Sequence, residues 1–172
     1  RPKRIGVVLN KKEAARAAYI SKVMEFVDLP SLQPLKIVLN SGNGAAGPTL
    51  DALNEKFKEQ GVKTRFVFVQ HDPDPSFPNG IPNPLLEENR SSTAGIVIGE
   101  NADFGVAFDG DFDRCFFFDA EGEFIPGEIM VGLLLEHFAM HNPNEKVVHD
   151  PRLVFNAEHI CRQSGVEAVE SK

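Results

Sequence analysis

Three aspartates and an arginine stand together in the segment Asp109-Gly110-Asp111-Phe112-Asp113-Arg114, the acidic loop. The segment directly follows an apolar run, Phe104 to Phe108, which is typical of a buried strand. Residues two apart do not face each other on a helix, and along a strand they lie roughly 6.6 Å apart, too far for one small ion. A tight loop at the end of the strand lets the three carboxylates converge, and Gly110 permits such a turn.

Three neighbouring carboxylates repel one another unless a cation neutralises them. Oxygen ligands on a loop select a hard ion, and Mg²⁺ keeps coordination positions open for water or a substrate phosphate. The planar guanidinium of Arg114 suits phosphate oxygens. We therefore predict that Asp109, Asp111 and Asp113 bind Mg²⁺ and that Arg114 contacts a phosphate.

Other interpretations of the acidic loop are weighed against its own residues. A solvated acidic turn is disfavoured by the preceding strand, the glycine and the trailing arginine. An EF-hand requires Gly at its sixth position and Glu at its twelfth, where Arg114 and Ala120 stand. A dehalogenase-type phosphatase would use Asp109 as its nucleophile; that motif normally lies near the start of a chain and continues differently after Asp111. It stays an alternative.

A second motif is rich in glycine and lies between a predicted strand, residues 35–40, and a predicted helix, residues 48–60. Its glycines match the dinucleotide fingerprint G-x-G-x-x-G and are Gly42, Gly44 and Gly47. The confirming acid should follow about 20 residues later, but apolar residues occupy that zone and Asp72 comes late. Pro48 stands where a Walker A motif requires Lys. We favour a structural turn or an anion site at the helix entry, and keep a non-catalytic dinucleotide-binding module as an alternative.

The elements that position these motifs alternate between strand and helix. Periodicity predicts helices over residues 12–27, 48–60, 85–101, 128–140 and 152–164, and strands over residues 35–40, 65–70, 103–108, 115–119, 124–125, 146–149 and 166–169. The prolines of residues 71–84 exclude a helix or central strand there. This order predicts an α/β fold with three layers, α/β/α, around a small mixed, mostly parallel sheet. Cys115 is predicted to be a small core residue.

Composition narrows the classes of partner and location. The chain has 172 residues, of which 42% are hydrophobic and 25% charged, as in ordinary globular proteins. A net charge of −7 argues against a nucleic-acid or membrane partner. Two distant cysteines and the absence of a membrane-length apolar run predict a reduced, cytoplasmic protein. The ends, at Arg1 and Lys172, are interpreted as those of a piece of a longer protein.

Together these segments resemble the α-D-phosphohexomutases, the bacterial phosphomannomutase/phosphoglucomutase family. The resemblance covers roughly residues 13–172. It rests on the acidic loop and on three further stretches: Asn40-Ser41-Gly42-Asn43-Gly44-Ala45-Ala46-Gly47, Phe77-Pro78-Asn79-Gly80-Ile81-Pro82-Asn83-Pro84 and His149-Asp150-Pro151-Arg152-Leu153. One departure is Phe112, where the family commonly has Gly; with the Phe-Pro-Asn stretch it resembles the phosphomannomutase branch.

The resemblance implies a four-domain enzyme in which a phosphoserine donates its phosphate to a hexose phosphate, and the bisphosphorylated sugar returns its other phosphate. In that scheme Asp109, Asp111 and Asp113 bind Mg²⁺, Arg114 acts in catalysis near the serine, and Lys172 lines the sugar site. The substrates implied are mannose or glucose 1- and 6-phosphates. No stretch like the family's Thr-Ala-Ser-His-Asn-Pro serine loop occurs in the sequence.

The resemblance also implies a division of the chain. Residues 1–29 correspond to a tail and an interdomain helix, residues 30–123 to the second domain with the metal loop, and residues 124–172 to an incomplete third domain. Such a piece is expected to be inactive alone. An uncovered apolar face on the incomplete domain is expected to favour homo-oligomers.

Overall fold

The computed structural model describes residues 6–151 and 154–171. The chain divides into two compact units, with the boundary between Gly122 and Glu123. Among the described residues, the first unit consists of α1 (Lys12–Met24), β1 (Lys36–Asn40), α2 (Gly47–Glu59), β2 (Arg65–Val69), α3 (Ser91–Glu100), β3 (Phe104–Phe108) and β4 (Cys115–Phe118). Two short 3-10 helices, Leu29–Ser31 and Glu87–Asn89, lie between these elements.

The sheet of the first unit has the strand order β2-β1-β3-β4. β1 is central and pairs in parallel with β2 and with β3, so that Val38 lies beside Val67 on one side and Gly105 on the other. β4 returns antiparallel to β3, where Gly105 lies opposite Phe118. The prediction of a mixed, mostly parallel sheet is confirmed.

Helices cover both faces of this sheet. On one face, Leu50 of α2 belongs to a buried cluster with Leu39 of β1 and Val106 of β3. On the other face, α3 packs on β1 and β3, and the buried side chain of Val97 lies over Gly105. Neighbouring strand residues point to opposite faces, which assigns these two clusters to opposite sides. The predicted three-layer α/β/α architecture is confirmed.

The connections place the two sequence motifs side by side. β1 leads through α2 to β2 on one side, and β2 leads back through α3 to β3 on the other side of β1. The crevice outside the carboxyl ends of strands at such a reversal is where α/β sheets bind ligands. The glycine-rich segment leaves the end of β1 and the acidic loop leaves the end of the adjacent β3.

The prediction of a helix over residues 85–101 was wrong for residues 85–90. The regular helix begins only at Ser91. The Arg90 side chain donates hydrogen bonds to the carbonyl oxygens of Pro84 (3.0 Å) and Leu85 (2.9 Å). These bonds hold the segment before α3 in a folded turn, which the apolar pattern of the sequence did not indicate.

Two smaller predictions also differ from the structure. Cys115 is exposed, so the prediction of a core position was wrong. It is the first residue of β4, directly after the acidic loop, where the strand has not yet entered the core. The first helix ends at Met24 rather than at residue 27.

The second unit contains β5 (Phe124–Ile125), α4 (Gly127–His141), β6 (Lys146–His149), α5 (Val154–Ser164) and β7 (Glu167–Glu170). β6 and β7 pair in parallel. Its core consists of Leu135, Ala139, Ala157, Cys161 and Val166. Several large apolar side chains of α4 are exposed, including Leu133, Phe138 and Met140; that a second copy covers them stays a prediction.

Within the described residues, every helix is too short or too polar to cross a bilayer.

The close contact between α3 and β3 predicts opposite effects of one substitution at two glycines. A Cβ added at Gly105 would lie 2.5 Å from Val97 Cγ2, whereas a Cβ at Gly95, on the exposed side of α3, would meet nothing within 4 Å. Gly105→Ala should lower the free energy of unfolding by about 1–3 kcal/mol through overpacking. Gly95→Ala should raise it by roughly 0.5–1 kcal/mol through helix propensity. Urea denaturation of both variants measures the difference, and equal effects would contradict the packing described.

Candidate metal centre

The acidic loop brings three carboxylates together at the end of β3. One side-chain oxygen from each of Asp109, Asp111 and Asp113 lies within 4.8 Å of the others. Asp109 is buried, with 2% of its surface exposed, whereas Asp111 and Asp113 are both exposed. The loop therefore has one carboxylate fixed in the protein and two that face outward, which is a cluster that a cation can reach.

The loop is closed by backbone hydrogen bonds and by one left-handed residue. The Phe112 N–H donates to the Asp109 carbonyl (3.2 Å), and the Asp109 N–H donates to the Arg114 carbonyl (3.4 Å). Phe112 has φ +66°, a conformation that favours glycine. Its ring packs edge-on against Phe108 at 4.9 Å, which helps to hold a bulky residue in this conformation. A glycine at this position would adopt the same backbone without steric cost.

Asp109 is the anchor of the loop. Its Oδ1 accepts hydrogen bonds from the N–H groups of Asp113 (3.2 Å) and Arg114 (3.1 Å). Its Oδ2 is buried and accepts no hydrogen bond from the described residues. Arg114 Nε lies 2.6 Å from this oxygen as an ion pair, but its hydrogen bond goes to Asp113 Oδ1 at 3.2 Å.

A hard divalent cation fits this arrangement. Asp109 Oδ2 is paired with the Arg114 guanidinium, but an ionised carboxylate has more acceptor positions than this one contact uses, so a metal ion could bind beside it. The surrounding ligands are carboxylate oxygens, which Mg²⁺ prefers. The exposed positions of Asp111 and Asp113 would allow such an ion to keep water or a phosphate among its ligands.

The pKa values of Asp109 and Asp113 are shifted in opposite directions. Burial acts to raise the pKa of Asp109, but the Arg114 N–H, a hydrogen bond with Asp113 and the Arg114 charge outweigh it, so that this pKa lies below its ordinary value. A hydrogen bond with Asp109 holds the pKa of Asp113 above its ordinary value. Asp109 therefore loses its proton before Asp113 as the pH rises.

The glycine-rich segment supports the acidic loop instead of forming a nucleotide site. A Cβ at Gly44 would lie 2.6 Å from the Gly110 carbonyl oxygen, and the Ala45 N–H donates to that oxygen at 3.0 Å. In a dinucleotide fingerprint the second glycine lets the pyrophosphate approach the backbone, but here the acidic loop occupies that space. The dinucleotide interpretation is therefore not supported, and the interpretation as a structural turn fits the contacts.

The other two glycines of the motif meet protein atoms as well. A Cβ at Gly42, which has φ +55°, would collide with the Pro82 ring, and one at Gly47 with the His71 carbonyl oxygen.

The dehalogenase-type alternative also lacks support, because a nucleophile must reach its substrate and Asp109 is buried with Oδ1 occupied. Lys172, the predicted sugar-site residue, lies outside the described residues.

Sequence analysis did not predict the residues that surround Gly110. A Cβ added at Gly110 would lie 3.4 Å from the ring of Phe77 and 3.6 Å from the side chain of Pro82. Both belong to the proline-rich segment of residues 71–84, which composition describes only as a loop. The one signal in the sequence that could have indicated this contact is the occurrence of the Phe-Pro-Asn stretch and the acidic loop in the same chain.

The hydrogen bonds of Asp109 predict a stability effect that is independent of metal. With a chelator present, Asp109→Asn should lower the free energy of unfolding by about 1–3 kcal/mol, because it removes a charged acceptor and places an amide nitrogen near the Arg114 guanidinium. Asp111→Asn, a matched change at a neighbouring carboxylate, should leave stability unchanged or raise it by relieving repulsion. Chemical denaturation at pH 7 measures both, and an equal loss would contradict the anchor role of Asp109.

The stability difference between the wild-type chain and Asp109→Asn should change with pH in a definite direction. Since the pKa of Asp109 is lower in the folded protein, the carboxylate stabilises the fold above the pH where an unfolded aspartate titrates, roughly 4. This stabilisation is lost as the pH falls through the folded pKa. The difference between the wild-type chain and Asp109→Asn should therefore shrink at acid pH.

Comparison with known proteins agrees with this geometry. A family model described as phosphoglucomutase/phosphomannomutase, alpha/beta/alpha domain II, matches residues 17–122. Phosphomannomutases from Salmonella montevideo and Escherichia coli (strain K12) are 50% identical over 157 residues, which is 91% of this chain and 34% of theirs. The chain thus spans about a third of the length of these curated relatives.

The fold is also similar to that of a solved phosphoglucomutase/phosphomannomutase family protein from Burkholderia thailandensis. The TM-score is 0.81 at 30% identity, over 92% of this chain and 33% of that chain. The expectation that the resemblance to the α-D-phosphohexomutases raised is therefore confirmed. By sequence and by fold, the chain belongs to the phosphoglucomutase/phosphomannomutase family.

Proposed function

We propose that this chain provides the metal-binding domain of a phosphohexomutase that interconverts hexose 6-phosphate and hexose 1-phosphate through a phosphoserine and a bisphosphorylated sugar. The observation that carries the proposal is the convergence of three carboxylates, one oxygen of each within 4.8 Å of the others, with the Arg114 guanidinium beside Asp109. Membership of the family supplies the reaction. The similarity to proteins named phosphomannomutase favours a mannose phosphate among the hexose phosphates.

The division of the chain follows from the same proposal. Residues 30–123 would be the second mutase domain, residues 1–29 a tail and an interdomain helix, and residues 124–172 part of the third domain. The match of the domain II family model to residues 17–122 supports the first of these assignments. In this arrangement Lys172 would belong to the sugar site.

In the proposed mechanism the residues of the acidic loop have separate tasks. Asp109, Asp111 and Asp113 would hold Mg²⁺, which when bound neutralises charge on a transferring phosphoryl group. Asp109 fixes the loop through its two backbone hydrogen bonds, so that the site is organised before a substrate arrives. Arg114 is oriented by Asp113 and Asp109, while 54% of its side chain stays exposed and can receive a phosphate.

Magnesium binding tests the proposal directly. Titration of the chain with Mg²⁺, followed by NMR, should shift the amide resonances of residues 109–114 first. Asp111→Asn should weaken this binding by tenfold or more, because it removes one of three charged ligands. Asp28→Asn, at an exposed aspartate outside the acidic loop, is the matched control and should bind as the wild type does. Absence of a response at millimolar Mg²⁺, or wild-type affinity in Asp111→Asn, would contradict the metal site.

A second prediction concerns activity. The family's reaction requires a phosphoserine loop, and the sequence has no counterpart of it. The 172-residue chain alone should therefore show no conversion of mannose 1-phosphate to mannose 6-phosphate in a coupled assay with Mg²⁺. Measurable turnover by the purified chain would refute this expectation.

A further inference from the structure

We propose that Asn43 is a positioning residue for the acidic loop, although it is not a metal ligand. Its side-chain amide ties the segment of residues 72–79 to the glycine-rich turn after β1. Those two segments together fix Gly110, the residue between Asp109 and Asp111. The inference rests on the proposed role of the acidic loop as a Mg²⁺ site and names a residue on which that site depends.

Asn43 makes four hydrogen bonds that join two segments. Its N–H donates to the Gln70 carbonyl (2.7 Å), and its own carbonyl accepts from the Asp74 N–H (2.9 Å). Its Nδ2 donates to the Asp72 carbonyl at 2.9 Å, and its Oδ1 accepts from Asn79 Nδ2 at 2.8 Å. Both functions of the amide, donor and acceptor, are therefore used.

The residue type follows from this position. Asn43 has φ +57°, in the left-handed region that Asn tolerates better than most residues. Glycine would accept the backbone but lacks the amide. Aspartate would lack the donor to the Asp72 carbonyl. Asparagine combines tolerance of this conformation with a donor and an acceptor in one short side chain.

The two segments that Asn43 joins both contact Gly110. From the glycine-rich turn, Gly44 packs against the Gly110 backbone and the Ala45 N–H donates to its carbonyl. From the proline-rich segment, the Phe77 ring and Pro82 lie at contact distance from the position of a Cβ on Gly110. Gly110 is thus enclosed by residues whose relative position the Asn43 amide helps to set.

Phe77 shows that the proline-rich segment is held in place and is not a loose loop. It has φ +47°, a strained conformation for a bulky residue. Such a conformation persists only where the surroundings maintain it. Its N–H donates to the Asp74 carbonyl (3.0 Å), and its carbonyl accepts from the Gly80 N–H (2.9 Å). Since Asp74 also bonds Asn43, the two strained residues share one network.

Substitution of Asn43 by glycine tests the proposal, because it keeps the left-handed backbone and deletes only the amide. In the 172-residue chain, Asn43→Gly should weaken Mg²⁺ binding by about tenfold, the range found when residues that orient metal ligands are changed. Asn79→Ala removes the other half of the amide pair and should act in the same direction. Asn101→Gly is the matched control, because Asn101 is left-handed (φ +48°) at the end of α3, away from the acidic loop.

Calorimetric titration with Mg²⁺ gives the affinity, and thermal unfolding in a chelator shows that each variant is folded. In the metal-free state, the Gly110 amide resonance should move in Asn43→Gly and stay in place in Asn101→Gly. If Asn43→Gly does not fold, Asn79→Ala decides. Wild-type affinity in the folded Asn43 and Asn79 variants would overturn the positioning role alone, whereas a wild-type chain that binds no Mg²⁺ would overturn the proposed function itself.

Discussion

The site depends on one carboxylate that the fold holds in two different ways. Oδ1 of Asp109 accepts hydrogen bonds from the backbone of its own loop, and the buried Oδ2 forms an ion pair with Arg114 at 2.6 Å. An arrangement with only the first property would be a structural turn. A buried carboxylate grouped with two exposed carboxylates instead carries more negative charge than the Arg114 guanidinium beside it balances, and a divalent cation would neutralise the excess.

The surrounding fold positions the Asp109 carboxylate at the carboxyl edge of the sheet. β3 delivers Asp109 to the carboxyl edge of the sheet, and the neighbouring β1 delivers the glycine-rich turn that supports Gly110. Because β1 lies between two parallel neighbours whose connections run on opposite faces, the edge at this point is open for a ligand. The helices α2 and α3 stabilise the sheet and contribute no residue to the acidic loop.

Local chemistry could be predicted from the sequence, whereas contacts between distant segments could not. The cluster of carboxylates at the end of a strand could be predicted from alternating aspartates after an apolar run, because this prediction uses only residues that are neighbours in sequence. The pattern at Gly44 shows that a backbone must approach closely, but not which one; the partner is Gly110, which is distant in sequence. The exposure of Cys115 and the late start of α3 depend likewise on where a segment leaves the core, which periodicity does not encode.

The most direct test is a crystal structure of the chain grown with Mn²⁺, whose anomalous scattering locates the ion and which binds the same oxygen ligands as Mg²⁺. The account predicts one ion in contact with Asp109 Oδ2, about 2.0–2.3 Å away, with Asp111 and Asp113 completing the protein ligands. An acidic loop without an ion at saturating Mn²⁺, or an ion bound elsewhere in the chain, would contradict it.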